Sequence, residues 1–364
     1  ITKLPKYRSI NTEEHGARFW WVEYGGSLDT IHDSETIKWE LWKIVYGIWN
    51  YIKNSGEFPD ARNLTLEWVG TIPGKRESRR FEGDYILKQS DLVERRVFDD
   101  AVSYGGWAID LHPEDAIYKD LPSCNQWHSK GAYHIPYRCF YSRNIENLFL
   151  AGRIISASHV AFGSTRVMAT CAHGGQVVGM AAAHCVAGGL HPRDLLESAR
   201  MKDLQTALNR EGQAIPGVPM EEAGNLVSSA RIEASSCDRL DTIPFDGGPW
   251  YSLEHAAAQL LPLKCGVAYQ FEIEVESDSE ATLEIKLSTS LDSRNYTPDR
   301  LIESLAKPLQ IGIQKVIFEF SGLLEENHYA QLSFHANASV RIRLSNRLQS
   351  GTISVFNVGN KAVS

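Results

Sequence analysis

The chain has 364 residues and a formal net charge of -8, with 43% apolar and 23% charged residues. That length is a prior for two or three domains, and the composition is that of an ordinary soluble globular protein. The negative balance argues against nucleic acid, whose phosphates need a basic surface, and the lack of a run of about 20 apolar residues argues against a transmembrane helix.

Six scattered cysteines contain no C-x-x-C, so neither a zinc ribbon nor a thioredoxin-type motif is supported. No metal site is expected. His173 and His184 read as packed or exposed side chains. No H-E-x-x-H, P-loop or G-x-S-x-G occurs.

Residues 1–33 are polar and irregular, with an aromatic cluster at Phe19-Trp20-Trp21 followed by Glu23-Tyr24-Gly25-Gly26. The cluster reads either as a core plug or as a pocket wall, since aromatic rings stack on flat ligands. Ser34 to Asn54 is predicted as a helix, with Ser34 as N-cap and a stripe of Trp42, Val45, Trp49 and Ile52, broadened by Leu41, Ile44 and Ile48. Leu64 to Gly70 alternates and predicts a strand; Pro73-Gly74 predicts a turn. The run Lys75-Arg76-Glu77-Ser78-Arg79-Arg80 is either an ion-pair network or a set of guanidinium forks lining a site.

Ser90-Asp91 is expected to cap a short helix reaching Asp100. Asp110 and His112 lie two apart, so in an extended chain they share a face. A carboxylate orienting an imidazole makes a general-base pair; the alternative is two polar side chains satisfying a turn. Ala132 to Arg138 contains Pro136, which places it at an edge or crossover, with Tyr137 and Arg138 following.

Leu148 to Ala151 predicts one buried strand, ended by Gly152-Arg153. A Ser/Ala loop with His159 follows. Gly163-Ser164-Thr165 is then expected to open a helix running to about Val186. Gly175, Gly179 and Ala181 to Ala183 suggest a helix face pressed close to another element. A helix N-terminus aimed at that loop would suit an anionic or electron-rich ligand. Pro192 to Glu211 reads as a further helix, and residues 223–236 as a linker.

From about Asp241 the period becomes two, as in Val267–Val275, Leu283–Leu287, Val316–Phe320 and Val340–Leu344. Strands at that spacing predict an antiparallel β-sandwich, with Tyr296-Thr297-Pro298-Asp299 in its longest loop.

Several of these stretches together resemble one family. They are Asn147-Leu148-Phe149-Leu150-Ala151-Gly152-Arg153, Ser156-Ala157-Ser158-His159-Val160-Ala161 and Gly163-Ser164-Thr165-Arg166-Val167-Met168. The segments around Phe19–Gly26, Pro73–Arg80, Gly83–Leu87, Gly105–His112, Tyr133–Arg138 and Gly212–Val218 extend the match. They resemble the FAD-dependent oxidoreductases with two dinucleotide-binding domains, a glutathione-reductase-like fold, some members of which carry the label xanthan lyase. The G-x-G-x-x-G loop of that class does not occur in these residues. The resemblance therefore implies the C-terminal portion of such a flavoprotein, without its ADP-binding half.

The implied fold is α+β or α/β. It comprises a substrate or cap domain with a mixed sheet (1–145), the C-terminal segment of an FAD-binding domain (146–190), a helical linker (191–240) and a jelly-roll-like β-sandwich (241–364). The implied activity is hydride transfer to flavin N5 from a small hydroxyl- or amine-bearing substrate, sugars included. The resemblance places Gly152, Arg153, Ser158, Gly163, Ser164, Thr165 and Arg166 at FAD. It gives His159, His112, Asp110 and Arg166 to catalysis, and Arg76, Arg79, Tyr137 and Arg138 to substrate. The alternative is a non-catalytic carbohydrate-binding or structural module with a degenerate flavin half-site. A homo-oligomer and an extracytoplasmic setting are further expectations, the latter from the accessory domain.

Overall fold

A computed structural model describes residues 3–6, 8–10, 19–219, 225–236, 243–292, 295, 297–326, 328–358 and 361–363. Cys237, Tyr296 and the expected boundary at 240/241 lie outside them. The chain divides into two compact units, Ile1–Glu222 and Ala223–Ser364. Helices and antiparallel sheets are both present, so the content is α+β. Among the described residues no helix is long and apolar enough to cross a membrane.

In the first unit, α1 (Ser34–Asn54) carries its N-cap at Asp33, one residue before the expected Ser34. Its buried face is Ile37, Ile44, Ile48, Tyr51 and Ile52. Ile44, Ile48 and Ile52 of the predicted stripe are buried, while Trp42 lies at the rim, where its indole N–H donates to the carbonyl of Gly70. Trp21, Ile44, Ile48, Ile52, Ala61 and Ile117 form one small core, so the aromatic cluster contributes Trp21 as a plug. The expected strand at Leu64–Gly70 does not form a ladder, and Trp68 is 78% exposed. Alternation alone cannot make a strand without a neighbour to accept its backbone bonds.

The second core of this unit is built around α2 (Gln89–Val93), the antiparallel pair β1 (Ala101–Gly105) and β4 (Tyr133–Pro136), and the long helix described below. α2 is shorter than expected. Asp91 accepts the Lys88 N–H at 2.9 Å, and the turn ends at Arg95, whose φ is 52°. A second antiparallel pair, β2 (Ile109–Leu111) and β3 (Asn125–Trp127), sets Asp110 opposite Gln126. These two ladders and one parallel bridge, Leu87 to Ala157, stand where a single mixed sheet was expected.

Leu148 to Ala151 also forms no strand. It is held by a lone bridge between Tyr141 and Phe149 and by the Leu150 N–H on the Phe140 carbonyl at 2.7 Å. The helix after it is split. α3 (His159–Thr165) is capped by Ser158, whose hydroxyl accepts from the Ala161 N–H, and the chain turns at Arg166. α4 (Met168–Gly188) starts after Val167, which is extended, and ends at Gly189 with φ 61°. Gly163-Ser164-Thr165 therefore closes a short helix instead of opening the long one. A cap five residues earlier starts the helix sooner, and β-branched Val167 in extended geometry interrupts it.

α4 packs through Gly174, where a Cβ would meet the Phe140 ring at 2.7 Å. Gly175 and Gly179 lie on its open face with nothing within 4 Å. Pro192–Leu196 is a 3-10 turn, broken at Glu197 before α5 (Ser198–Arg210) begins. Gln205 on α5 donates to the carbonyls of Asp99 and Ala101, satisfying backbone that the two-stranded ladder leaves open.

The second unit holds two antiparallel sheets. Its strands are β5 (Trp250–Ser252), β6 (Ala257–Leu263), β7 (Tyr269–Ser277), β8 (Ala281–Thr289), β9 (Arg300–Leu309), β10 (Gly312–Phe320), β11 (His328–Phe334), β12 (Val340–Arg343), β13 (Ile353–Val358) and β14 (Lys361–Val363). Strand orders are β10-β7-β12-β5 and β14-β13-β6-β11-β8-β9. Val275, Phe318 and Ile342 of the first sheet share one core with Leu261, Ile285 and Leu332 of the second. The alternation seen in the sequence buries one face of each strand.

Candidate functional site

β2 and α3 position most of the candidate residues. A Cβ on Gly163 would meet Leu111 Cδ2 at 2.9 Å and the Asp110 carbonyl oxygen at 3.1 Å. Only glycine lets α3 approach the β2 backbone this closely. Ser164 is fully buried; its hydroxyl donates to the Trp107 carbonyl at 2.6 Å and shares a hydrogen bond of 2.5 Å with the Tyr133 hydroxyl. Thr165 is buried as well, and its Oγ1 has no partner among the described residues. Gly163, Ser164 and Thr165 thus act as packing and strapping residues inside the unit. This corrects their expected place at a cofactor-facing helix N-terminus.

The long helix that starts here is α4. Val167 offers no side-chain oxygen to cap it, and Met168 is 89% exposed. The first N–H groups of an α-helix have no intrahelical acceptor, so an open, uncapped start presents donors to a ligand. Gly152, with φ 66°, and Arg153 lie on the preceding turn, where Arg153 Nη1 donates to the Lys75 carbonyl at 3.0 Å. Ser158 is spent as the α3 cap.

Asp110, His112 and Arg166 come together. Arg166 Nη2 donates to the Asp110 carbonyl and to Asp110 Oδ2, each at 3.1 Å. His112 is held on both sides, by Glu23 Oε2 at 2.5 Å from Nδ1 and by Asp110 Oδ2 at 3.3 Å from Nε2. An imidazolium can donate from both ring nitrogens and so meet both carboxylates. Burial works against its charge, but the bonds to Asp110 and Glu23 outweigh it and raise its pKa above the usual histidine value. Burial likewise opposes ionisation of Asp110, yet His112 and Arg166 hold its pKa below the usual carboxylate range. Both ring nitrogens of His112, the residue expected as a base, thus face carboxylates. Trp20 packs edge-on against its ring at 5.6 Å.

Arg76 donates to Glu23 Oε1 and lies 3.2 Å from His112 Nδ1. Of the two readings of the basic run, Arg76 is in an ion-pair network that also borders the site. His159 belongs to the same neighbourhood through Glu77. Its Nδ1 meets Glu77 Oε2 at 2.9 Å, Arg80 also donates to Glu77, and the His159 side chain is 61% exposed. No bond to His159 Nε2 occurs among the described residues. Glu77, Glu23, Asp110 and Arg76 all act electrostatically on Arg166, which ties the two groups into one centre.

Three candidates fall elsewhere. Tyr137 is fully buried and its hydroxyl donates to the Pro192 carbonyl at 2.8 Å, so it cannot touch substrate. Arg138 makes a two-pronged pair with Asp100, at 2.9 and 3.0 Å, beneath the Tyr85 ring. Burial raises the Tyr137 hydroxyl well above the usual tyrosine range, and the Asp100 carboxylate raises Arg138. Chain proximity suggests both; the turn at Tyr137–Cys139 buries Tyr137 and directs Arg138 onto Asp100. Arg79 is exposed and acts on Asp29, away from the centre. Glu23 and Glu77 were not singled out as site residues. The one available signal was that Glu77 is the lone carboxylate within Lys75–Arg80.

The sequence profile of the family described as FAD dependent oxidoreductase matches residues 3–208. The chain belongs to the FAD dependent oxidoreductase family. The match spans every residue of the charged centre and all of α4. No relative was found among curated proteins. Among solved structures, a chain titled "CBM4 structure and function" is similar at 16% identity, over 24% of this chain and 55% of that chain, with a TM-score of 0.20. A likeness that slight defines no fold.

Proposed function

We propose that the chain forms the substrate side of an FAD-dependent oxidoreductase acting on a small hydroxyl- or amine-bearing compound, sugars included. The observation that carries this reading is the Glu77–His159 pair, in the unit that also holds Arg166, Arg76 and the uncapped start of α4. When bound, FAD supplies a two-electron acceptor at its N5. The first-turn N–H groups of α4, with Gly152 and Arg153, would hold the electron-rich edge of its ring. His159 takes the proton of the substrate hydroxyl at Nε2. Its Nδ1–H on Glu77 fixes the tautomer and aims the ring. Arg166 and Arg76 orient the substrate, and His112 is a fixed positive charge that keeps Asp110 and Glu23 in place.

The test offers alcohols, amines and sugars to FAD-reconstituted protein with a reducible dye. Turnover that falls by roughly a hundredfold in His159→Asn, with flavin retained, supports the assignment. Flavin-bearing protein that reduces dye equally well with and without His159 removes it.

One observation favours a second, non-catalytic role. In the unit Ala223–Ser364, Ser290, Asp292, Arg300, Leu301, Leu323 and Glu325 border a cleft of about 650 Å3. We propose a jelly-roll-like sandwich whose cleft takes carbohydrate, hydroxyls on the carboxylates and C–H faces on the leucines. A glycan array probed with the chain tests it, and Asp292→Ala binding as well as the parent would exclude this cleft.

A further inference from the structure

In the unit Ala223–Ser364 each sheet ends in two strands with a ladder neighbour on one side only: β10 and β5 in one, β14 and β9 in the other. An edge strand leaves half of its backbone N–H and C=O groups without a ladder partner, and folds blunt such edges with short strands, proline or bulges. Three of these four edges are blunted in that way. β5 and β14 have three residues each, and β9 carries Pro308 and a bulge at Ile302, which the ladder with β8 skips. β10 is different. It runs nine residues, Gly312 to Phe320, in unbroken register with β7, with no proline and no bulge. Among the described residues no backbone bond reaches its open side.

The side chains of β10 alternate between two faces. Val316, Phe318 and Phe320 are buried in the core that the two sheets share. Ile313, Lys315, Ile317 and Glu319 face outward, and the two isoleucines are 64% and 40% exposed. Lys315 has Glu272 at 3.6 Å, whereas Glu319 has no cation beside it among the described residues. This outward face is self-complementary in one antiparallel register. With a two-fold axis at Ile317, that residue meets its own copy, and Lys315 lies opposite Glu319 of the partner subunit on either side of it. On the inner face Val316 then lies opposite Phe318 of the partner subunit, so the core pattern continues. A centre at Lys315 or at Glu319 would oppose like charges, and one at Val316 would set Lys315 against isoleucine.

We propose that two copies of this chain pair through β10, joining their four-stranded sheets into one continuous sheet across a two-fold axis. The pairing supplies partners for the open backbone groups, covers Ile317 and gives Glu319 a cation. It closes at two copies, because an isologous contact uses up the one long edge and the other edges are blunted. It does not depend on the oxidoreductase reading, since β10 lies outside residues 3–208.

Sedimentation velocity of the full chain over a dilution series tests the pairing. The expected result is a species of twice 40.7 kDa that dissociates on dilution. Ile317→Lys sets two lysines on the axis, and Glu319→Lys sets lysine against Lys315; each weakens association by at least about tenfold. Adding Lys315→Glu to Glu319→Lys reverses both charges and restores most of the association. Circular dichroism checks that each variant keeps its sheets. Amide hydrogen exchange of the parent reads the same contact without substitution: the open side of β10 exchanges more slowly in concentrated than in dilute protein. A parent that stays monomeric up to about 200 μM, a dimer that the charge variants leave unchanged, β10 exchange that ignores concentration, or association beyond two copies overturns the proposal.

Discussion

Replacing His112 with glutamine tests the charged centre most informatively. The imidazolium bonds Glu23 at 2.5 Å and Asp110 at 3.3 Å, and its side chain is 14% exposed. A hydrogen bond to a charged group contributes about 1.5–3 kcal/mol, and the longer contact with Asp110 belongs at the lower end. Glutamine keeps one donor group but loses the charge. His112→Gln is therefore expected to lose about 2 kcal/mol in mildly acidic solution. The pH dependence has a definite sign. The folded-state pKa of His112 is raised, so its contribution is fully present below the unfolded value of about 6.5 and is lost as pH rises through the folded value. Urea denaturation of parent and variant at about pH 6 and about pH 9 gives the two gaps to compare. The gap should shrink at the alkaline end. Equal stabilities at about pH 6, or a gap that widens with pH, would refute the reasoning.

Three further outcomes follow from neighbouring geometry. Gly163→Ala forces a methyl against Leu111 and the Asp110 backbone and should cost about 1–3 kcal/mol, whereas Gly175→Ala, in open space on α4, should gain about 0.5–1 kcal/mol; denaturant midpoints decide both. Glu77→Gln should lower substrate turnover by at least about tenfold with flavin content unchanged, because it frees the His159 ring; unchanged turnover counts against the pair. Arg138→Lys should leave KM alone and lower stability by about 1 kcal/mol, since its fork holds Asp100; a raised KM with unchanged stability would return Arg138 to the substrate.

α1 was legible because its apolar residues recur at helical spacing, whereas the helix read from Gly163 to about Val186 is split, its long part being α4. The strands β7, β8, β10 and β12 were legible from alternation. β9, reading Arg300 to Leu309, was not, because Glu303, Ser304 and Lys307 interrupt its apolar set at an edge of the sheet. The break between α3 and α4 carries no proline and no glycine at Arg166-Val167, so composition could not place it. At the site, Asp110 and His112 were visible as a pair because two residues in a strand share a face. Their true constraint was not visible. Glu23 reaches His112 from 89 residues away and Glu77 reaches His159 from 82, and no local pattern encodes such contacts. It is Glu23 that, with Asp110, takes up both ring nitrogens of His112, and Glu77 that leaves His159 with the free nitrogen.

The most direct measurement is the visible absorption spectrum of the protein after incubation with FAD and removal of the unbound cofactor. A retained flavin band, bleached on adding a small hydroxyl- or amine-bearing substrate under anaerobic conditions, is the predicted result. Protein that stays colourless after FAD is supplied would contradict the account at its centre.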